Sequence, residues 1–122
     1  MTRHLTFEQL LAIATELPGD PACDDYSKLD AALARMRSHR MGRDVLGSDW
    51  LKAAALLETL ARLKPLEDRN DLYAGAAAEA FLIINGRPLQ FDPADMLQLA
   101  HDAEVGQVTT LQIAARLRSW AD

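Results

Sequence analysis

Residues 60–87 read LARLKPLEDRNDLYAGAAAEAFLIINGR and contain the pattern that decides the fold. One helical pattern breaks at Pro65, because proline lacks an amide donor and crowds the turn before it. A second helical pattern follows and ends at Asn85-Gly86, where glycine suits the left-handed position that closes a helix. The residues from Ala74 to Ala80 are nearly all small, so neighbouring helices can approach closely and this helix is predicted to be central and surrounded.

The residues between these two helices, Lys64 to Leu72, are predicted to form a short loop that leads into a helix N-terminus. Backbone amides at such a point face outward with partial positive charge, and phosphates commonly bind there. The sequence therefore predicts a loop that is suited to hold an anion.

Length and composition indicate an ordinary globular protein. A chain of 122 residues is normally one domain, here residues 1–122, and 49% hydrophobic with 25% charged residues is typical of that class. The net charge of −5 argues against nucleic-acid binding by the whole surface. A single cysteine, Cys23, gives no internal disulfide and favours a reducing cytoplasm. No apolar run approaches the roughly 20 residues of a membrane span, so we expect a cytoplasmic protein without membrane association.

The remaining helices are predicted from their caps and apolar stripes. A segment that favours the start of a helix precedes five of the apolar helical patterns, and one further helix is expected over about Tyr26 to Met36. Little helical periodicity follows that helix as far as Gly47, so a loop or short hairpin is predicted there. The sequence thus predicts an all-α domain of about six helices around the central alanine-rich helix, with little or no strand. The start signals are at Thr6, Ser48, the loop before the central helix, Asp92-Pro93, and Thr109 or Thr110.

Two polar features inside this framework have alternative interpretations. Four arginines lie within nine positions, and they either bind an acidic partner, a nucleic acid or a phosphate, or form a solvated polar loop: Arg35, Arg37, Arg40 and Arg43. Glu79 interrupts the small residues of the central helix. It needs a partner if it is buried, and we favour the interpretation that it lies at the edge of the helix.

Taken together, the order of the motifs resembles the Fic/Doc family, specifically the small Doc ("death on curing") toxins. An early helix LTFEQLLAIA matches a family pattern of the form LTxEQLLAIA, and Asp25-Tyr26 is followed by a family-like LDAALAR helix. The later patterns KAAALL and LAR precede the loop, and Phe81-Leu82 with Asn85-Gly86 matches the family's FLxxNG helix ending. The resemblance covers nearly the whole chain and implies the Fic fold.

In the active loop, the sequence departs from the family motif HxFx(D/N)GNKRTA. The resemblance implies that the histidine is a general base, that the acidic residue holds magnesium and that the following residues cradle nucleotide phosphates. Lys64 stands in place of that histidine, whereas Asp68 and Asn70 match the motif and Leu66 keeps an apolar anchor. The other four positions are replaced: Arg69 for glycine, Asp71 for lysine, Leu72 for arginine and Tyr73 for threonine.

Each replacement works against phosphotransfer. A lysine with an ordinary pKa is protonated near neutrality and does not accept the proton of a hydroxyl. Arg69 adds a Cβ where the backbone must approach a phosphate and where positive φ is needed. Asp71 adds negative charge at the expected phosphate site, and Leu72 removes a bidentate phosphate clamp.

Three functions follow as hypotheses. The first is a catalytically degenerate Doc-like protein that acts through protein binding, with Arg35, Arg37, Arg40 and Arg43 as partner-binding residues and an antitoxin-like helical segment as partner. The second is a divergent transferase that moves phosphate or a nucleotidyl group to a protein hydroxyl, with Lys64, Asp68 and Asn70 as catalytic positions, Arg69 and Asn70 on the nucleotide, and Asp68 on magnesium. The third is a nucleic-acid-associated accessory protein, which the net charge disfavours. No cofactor is expected except Mg and ATP in the second case.

Overall fold

The computed structural model describes residues 2–37, 39–40, 43–44 and 48–122, with the backbone alone for residues 39–40 and 43–44. Six helices and one short hairpin make up the described chain, and none of these helices is long and apolar enough to cross a membrane. In chain order they are α1 (Phe7–Thr15), α2 (Tyr26–Met36), β1 (His39–Arg40), β2 (Arg43–Asp44), α3 (Asp49–Leu63), α4 (Asn70–Ile84), α5 (Pro93–Glu104) and α6 (Thr110–Ser119).

Side-chain caps explain where most of these helices begin. Thr6 and Thr109 form capping boxes with Gln9 and Gln112, so that each pair satisfies free amides at the start of its helix. Asp25, Ser48 and Asp92 cap α2, α3 and α5 through a side-chain oxygen. The exception is α4, whose capping residue, Arg69, makes no side-chain cap hydrogen bond.

The helices α3 and α4 together form the centre of the fold. α3 packs against α2, α4, α5 and α6, and α4 packs against α1, α3 and α5. Small side chains allow the helices to pack this closely. The fully buried residues include Ala53, Ala54 and Ala55 of α3 and Ala74, Ala77 and Ala78 of α4. The predicted all-α architecture of about six helices around a surrounded alanine-rich helix is confirmed.

The arginine-rich segment after α2 contains the hairpin of β1 and β2. The two strands pair antiparallel, with His39 opposite Asp44 and Arg40 opposite Arg43. This agrees with the predicted loop or short hairpin. Within the segment from Arg37 to Ser48, residues 38, 41–42 and 45–47 lie outside the described ones.

Candidate functional site

The loop between α3 and α4, residues 64–69, begins and ends with left-handed backbone. Lys64 has φ 52° and Arg69 has φ 60°, and neither is glycine. A left-handed conformation costs an L-residue about 1–2 kcal/mol because Cβ crowds the carbonyl oxygen. The prediction that positive φ is required at position 69 is therefore confirmed, and the chain adopts this conformation there with an arginine.

Hydrogen bonds hold this loop against the segment that precedes α2. The Asp24 N–H donates to the Pro65 carbonyl (2.8 Å), and the Glu67 N–H donates to the Ala22 carbonyl (2.9 Å). The Ala22 N–H in turn donates to the Glu67 carboxylate (3.0 Å). Leu66, which is 3% exposed, pairs with Cys23 in an isolated antiparallel bridge. The loop is thus fixed on both sides of a buried leucine.

The side chain of Asn70 bonds to both backbone groups of Leu66 within the loop. Its side-chain oxygen accepts from the Leu66 N–H (2.9 Å), and its side-chain nitrogen donates to the Leu66 carbonyl (2.9 Å). These two bonds reproduce the pairing of one residue in an antiparallel ladder. The predicted nucleotide-binding role of Asn70 therefore has to compete with a structural role that occupies both ends of its amide.

We expect Asn70→Ala to lower the free energy of unfolding by about 1–3 kcal/mol, because it leaves both backbone groups of Leu66 without these partners. Thermal melting without nucleotide measures the loss, and amide hydrogen exchange at Leu66 should become faster. Asn70→Asp tests the donor half of this pair, since it keeps the acceptor for the Leu66 N–H and replaces the donor by a carboxylate oxygen that repels the Leu66 carbonyl. Melting of Asn70→Ala at the wild-type temperature would show that this side chain is free for a ligand.

An open depression of about 220 Å³ lies beside the loop. Four carboxylates and two cationic side chains line it, so its lining is acidic. The ammonium of Lys64 forms an ion pair with the Glu104 carboxylate of α5. The lining residues are Lys64, Glu67, Asp68, Arg69, Asn70, Asp71 and Glu104.

Two amides at the start of α4 are bonded to carboxylates of the chain itself. The Arg69 N–H donates to Asp68 (2.8 Å), and the Leu72 N–H donates to Asp71 (2.7 Å). An anion at a helix N-terminus relies on such amides, and here the chain's own anions occupy them. Asp68, the predicted magnesium ligand, is exposed, and the described part of the chain contains no group of three or more His, Cys, Asp or Glu side chains arranged to hold a metal ion.

The predicted partner-binding arginines differ in their surroundings. Arg35 forms an ion pair with the nearly buried Glu58 of α3 (2.7 Å) and donates to Thr59 (3.1 Å) and to Thr110 of α6 (3.0 Å). Arg37 is exposed and donates to the Leu5 carbonyl. The side chains of Arg40 and Arg43 lie outside the described residues. Of these two arginines, Arg35 is the one that connects three helices, namely α2, α3 and α6.

A second concave feature, the α4–α5 groove, is lined by eight residues and encloses about 230 Å³. Glu79 is the one charged residue among them. Its side chain is half-buried, which agrees with the predicted position at a helix edge, and desolvation raises the pKa of its carboxyl. The hypothesis of an antitoxin-like helical partner implies a hydrophobic groove, but the sequence did not indicate where on the molecule a groove would lie. The lining residues are Leu72, Gly75, Ala76, Glu79, Phe91, Pro93, Met96 and Leu97.

The pKa shift of Glu79 predicts a pH-dependent effect on stability. A carboxyl whose pKa is raised by folding binds its proton more tightly in the folded state, so its contribution favours folding at low pH and is lost as the pH rises through the folded pKa. We expect Glu79→Gln to be more stable than the wild type at about pH 8, with the difference shrinking toward about pH 4, near the ordinary pKa of glutamate. Melting curves across this range measure it. Asp30→Asn, at an exposed position in the middle of α2, is the control and should lack this trend.

Comparison with known proteins places the chain in a family. No protein-family model matches it. The toxin Doc of Mycolicibacterium smegmatis is 39% identical to it over 119 residues, which make up 95% of this chain and 84% of that toxin. The chain therefore belongs to the Doc family of toxins.

Proposed function

We propose that this chain is a Doc-family protein in which phosphotransfer has been lost and which acts by binding another protein. The observation that carries the proposal is the bonding around residues 64–71. Two amides at the start of α4, the ammonium of Lys64 and the side-chain amide of Asn70 are engaged by the chain's own groups.

The position of the general base supports the loss of chemistry. Lys64 stands where the family motif has histidine, and its ammonium is paired with the Glu104 carboxylate. A protonated amine has no lone pair with which to take a proton from a target hydroxyl.

Electrostatics around the loop support the same conclusion. The depression is lined by four carboxylates and two cations, so its net charge is negative and repels nucleotide phosphates. The guanidinium of Arg69 passes beside Gly19, with Nε 3.5 Å from the place that a Cβ on this glycine would take. Arg69 therefore lies close to the α1–α2 connection, and it is one of the two cations that line the depression.

The proposed partner is a protein that contributes a helical segment, as expected for a chain of toxin–antitoxin ancestry. The chain is 39% identical to the Doc toxin over 95% of its length, and helix-in-groove recognition requires an apolar surface rather than a catalytic loop.

Melting curves with and without millimolar ATP and magnesium test the proposal, using the wild type and Asp68→Ala. A ligand at a hundred times its dissociation constant adds about 2.7 kcal/mol of stability, which is visible as a clear shift. We expect no shift in either protein. A shift in the wild type that Asp68→Ala abolishes would instead identify a divergent transferase with a functional nucleotide site.

Glu104→Gln extends this test to the ion pair. The substitution releases the Lys64 ammonium and removes one of the four carboxylates, so a nucleotide site that is merely blocked should become detectable in this variant. We expect no nucleotide-dependent shift here either, because Asp68, Asp71 and the missing clamp at Leu72 remain. A shift confined to Glu104→Gln would show that the site is inhibited by the chain itself and not lost.

A further inference from the structure

The α4–α5 groove contains a carboxylate without a partner in the described part of the chain. Seven of the eight lining residues are apolar or glycine, and the eighth is Glu79, whose side chain is half-buried. No hydrogen bond or ion pair connects Glu79 to another described residue. The residues one turn before and after it on α4 include no lysine or arginine, so its own helix does not supply a cation. These neighbours are Gly75, Ala76, Leu82 and Ile83.

Partial burial makes this carboxylate a binding group. A carboxylate in an apolar wall loses hydration, and a ligand that covered it without a cation would remove the rest at a large cost in free energy. Desolvation also raises the pKa of the Glu79 carboxyl, and a perturbed carboxyl in a cleft marks a candidate binding site.

The groove has the size and the fixed walls of a site for a small ligand. It encloses about 230 Å³, which is below the range of roughly 300–1,000 Å³ for sites that hold drug-sized molecules. Phe91 stacks on Trp120 with ring centroids 5.4 Å apart, and the neighbouring Gln90 N–H donates to the Trp120 carbonyl (2.8 Å). Pro93 stands in the first turn of α5, where its ring fixes φ. Walls that are formed in advance leave less ordering to be done when a ligand binds.

The charges around the groove select a cation. Asp71, Asp92 and Asp95 are exposed, and each directly precedes a residue that lines the groove. No lysine or arginine is among the lining residues. Charges of one sign attract ligands of the other sign and repel those of their own, so this surface disfavours nucleotides and other anions.

The lining distinguishes an organic cation from a metal ion. Calcium takes about six to eight oxygen ligands and magnesium about six, whereas Glu79 is the one carboxylate among the eight lining residues. An organic ammonium matches both parts of the surface. Its N–H groups donate to the carboxylate in charge-assisted hydrogen bonds, and its hydrocarbon part removes apolar walls from water.

We propose that the α4–α5 groove binds a small organic cation, an alkylammonium or arylalkylammonium compound, whose charged group pairs with Glu79 and whose hydrocarbon part contacts Phe91, Met96 and Leu97. This inference goes beyond the proposed function, because it requires neither a partner protein nor the loop of residues 64–71.

Titration of the full chain with n-hexylammonium chloride, followed by amide NMR spectra, tests this inference. We expect the signals of groove residues such as Ala76 and Leu97 to shift, with a dissociation constant of about 1 mM or below, as for a compact ligand of few atoms. Hexanol and hexanoate are the matched probes, since they keep the hydrocarbon chain and replace the cation by a neutral or an anionic group. Hexanol should bind about tenfold more weakly, because it lacks the charge-assisted bond, and hexanoate more weakly still.

Variants at Glu79 test the ion pair directly. Glu79→Gln should weaken the binding of hexylammonium about tenfold and leave the binding of hexanol unchanged. Glu79→Lys should reverse the preference, so that hexanoate binds more tightly than hexylammonium. Glu8→Gln, the same change of charge at an exposed position of α1, is the matched control and should bind hexylammonium like the wild type. Melting curves establish that the variants are folded, and the comparison of the three probes on the wild type requires no variant.

The contrary outcomes are distinct. Equal binding of hexylammonium and hexanol, or binding of hexylammonium that Glu79→Gln leaves unchanged, would show an apolar cleft without selection for a cation and overturn the inference. Absence of shifts at ten times the expected dissociation constant would overturn it as well. Tighter binding of a blocked Ala-Lys-Ala peptide than of hexylammonium, lost in Glu79→Lys, would assign Glu79 to a lysine of another protein and not to a small molecule. The nucleotide-dependent melting test is independent of all these outcomes, so failure here and failure of the proposed function are distinguishable.

Discussion

Arg35→Ala is expected to lower the free energy of unfolding by about 2–3 kcal/mol, just below the usual range for breaking a buried ion pair because Arg35 is half-exposed. The substitution leaves the Glu58 carboxylate, whose side chain is 9% exposed, without the guanidinium 2.7 Å away. It also removes the contacts that tie α2 to Thr59 of α3 and Thr110 of α6. Urea denaturation followed by far-UV circular dichroism measures the loss as a lower midpoint with an unchanged slope.

Two further variants separate this structural role from partner binding. Arg37→Ala loses one part-buried hydrogen bond to the Leu5 carbonyl, and we expect it to cost about 1 kcal/mol. Glu58→Gln should cost less than Arg35→Ala, since the Arg35 side chain is 38% exposed and keeps access to water and two hydroxyls. Equal and small losses for Arg35→Ala and Arg37→Ala would contradict the structural role and leave Arg35 available to a partner.

The helix boundaries could be predicted closely because local chemistry determines them. The second helix was expected over about Tyr26 to Met36 and has these bounds. Ser48, Asp92 and Thr109 were named as caps, and each accepts an amide hydrogen bond at the start of its helix. A cap, a proline or a glycine acts on its own neighbours within one turn, so a single sequence contains the whole signal.

The start of α4 was placed less well, for an identifiable reason. The loop was expected to extend to Leu72, whereas α4 begins at Asn70. Arg69, the residue before the first turn of α4, makes no side-chain capping hydrogen bond. The helix start depends instead on the left-handed Arg69 and on the bonds of Asn70 to Leu66, which no capping rule predicts.

The character of the loop could be predicted in part. The replacements in the family motif predict a loss of the general base at Lys64 and of phosphate-binding chemistry at Arg69, Asp71 and Leu72, and this stays a prediction. The groups that engage the loop come from distant parts of the chain, such as Glu104 of α5 and the segment of Ala22 and Asp24. Only the packing of the helices brings these groups to the loop, so one sequence without its fold did not reveal them.

The α4–α5 groove could not be predicted for a related reason. Its α4 residues are spaced as one helical face, but the sequence did not indicate which face would meet α5 and which would stay open. The small residues of α4 were expected to allow close approach, and Gly75 shows how close it is: a Cβ on this glycine would lie 2.5 Å from Cγ of Met96. Met96 therefore packs directly against the backbone of Gly75, because this glycine has no side chain.

Gly75→Leu is accordingly expected to destabilise the protein by about 3 kcal/mol, at the upper end of the range for overpacked cores, because Met96 is 5% exposed and has little room to move. Glycine inside a helix is itself unfavourable by about 1 kcal/mol relative to alanine. Gly75→Ala therefore gains helix propensity while it meets the same side chain, and its net loss should be smaller. Chemical denaturation of both variants measures whether Gly75→Leu loses more stability than Gly75→Ala.

A double-mutant cycle with Met96→Ala identifies the cause. Met96→Ala alone is expected to cost at least about 2 kcal/mol, as large-to-small substitutions in cores do. Removing this side chain also makes space for a residue at position 75, so Gly75→Leu in the Met96→Ala background should destabilise far less than it does in the wild type. A coupling energy of about 1–3 kcal/mol is expected for such neighbours. Additive losses would contradict this, and would mean that the contact of α4 with α5 does not depend on a glycine at position 75.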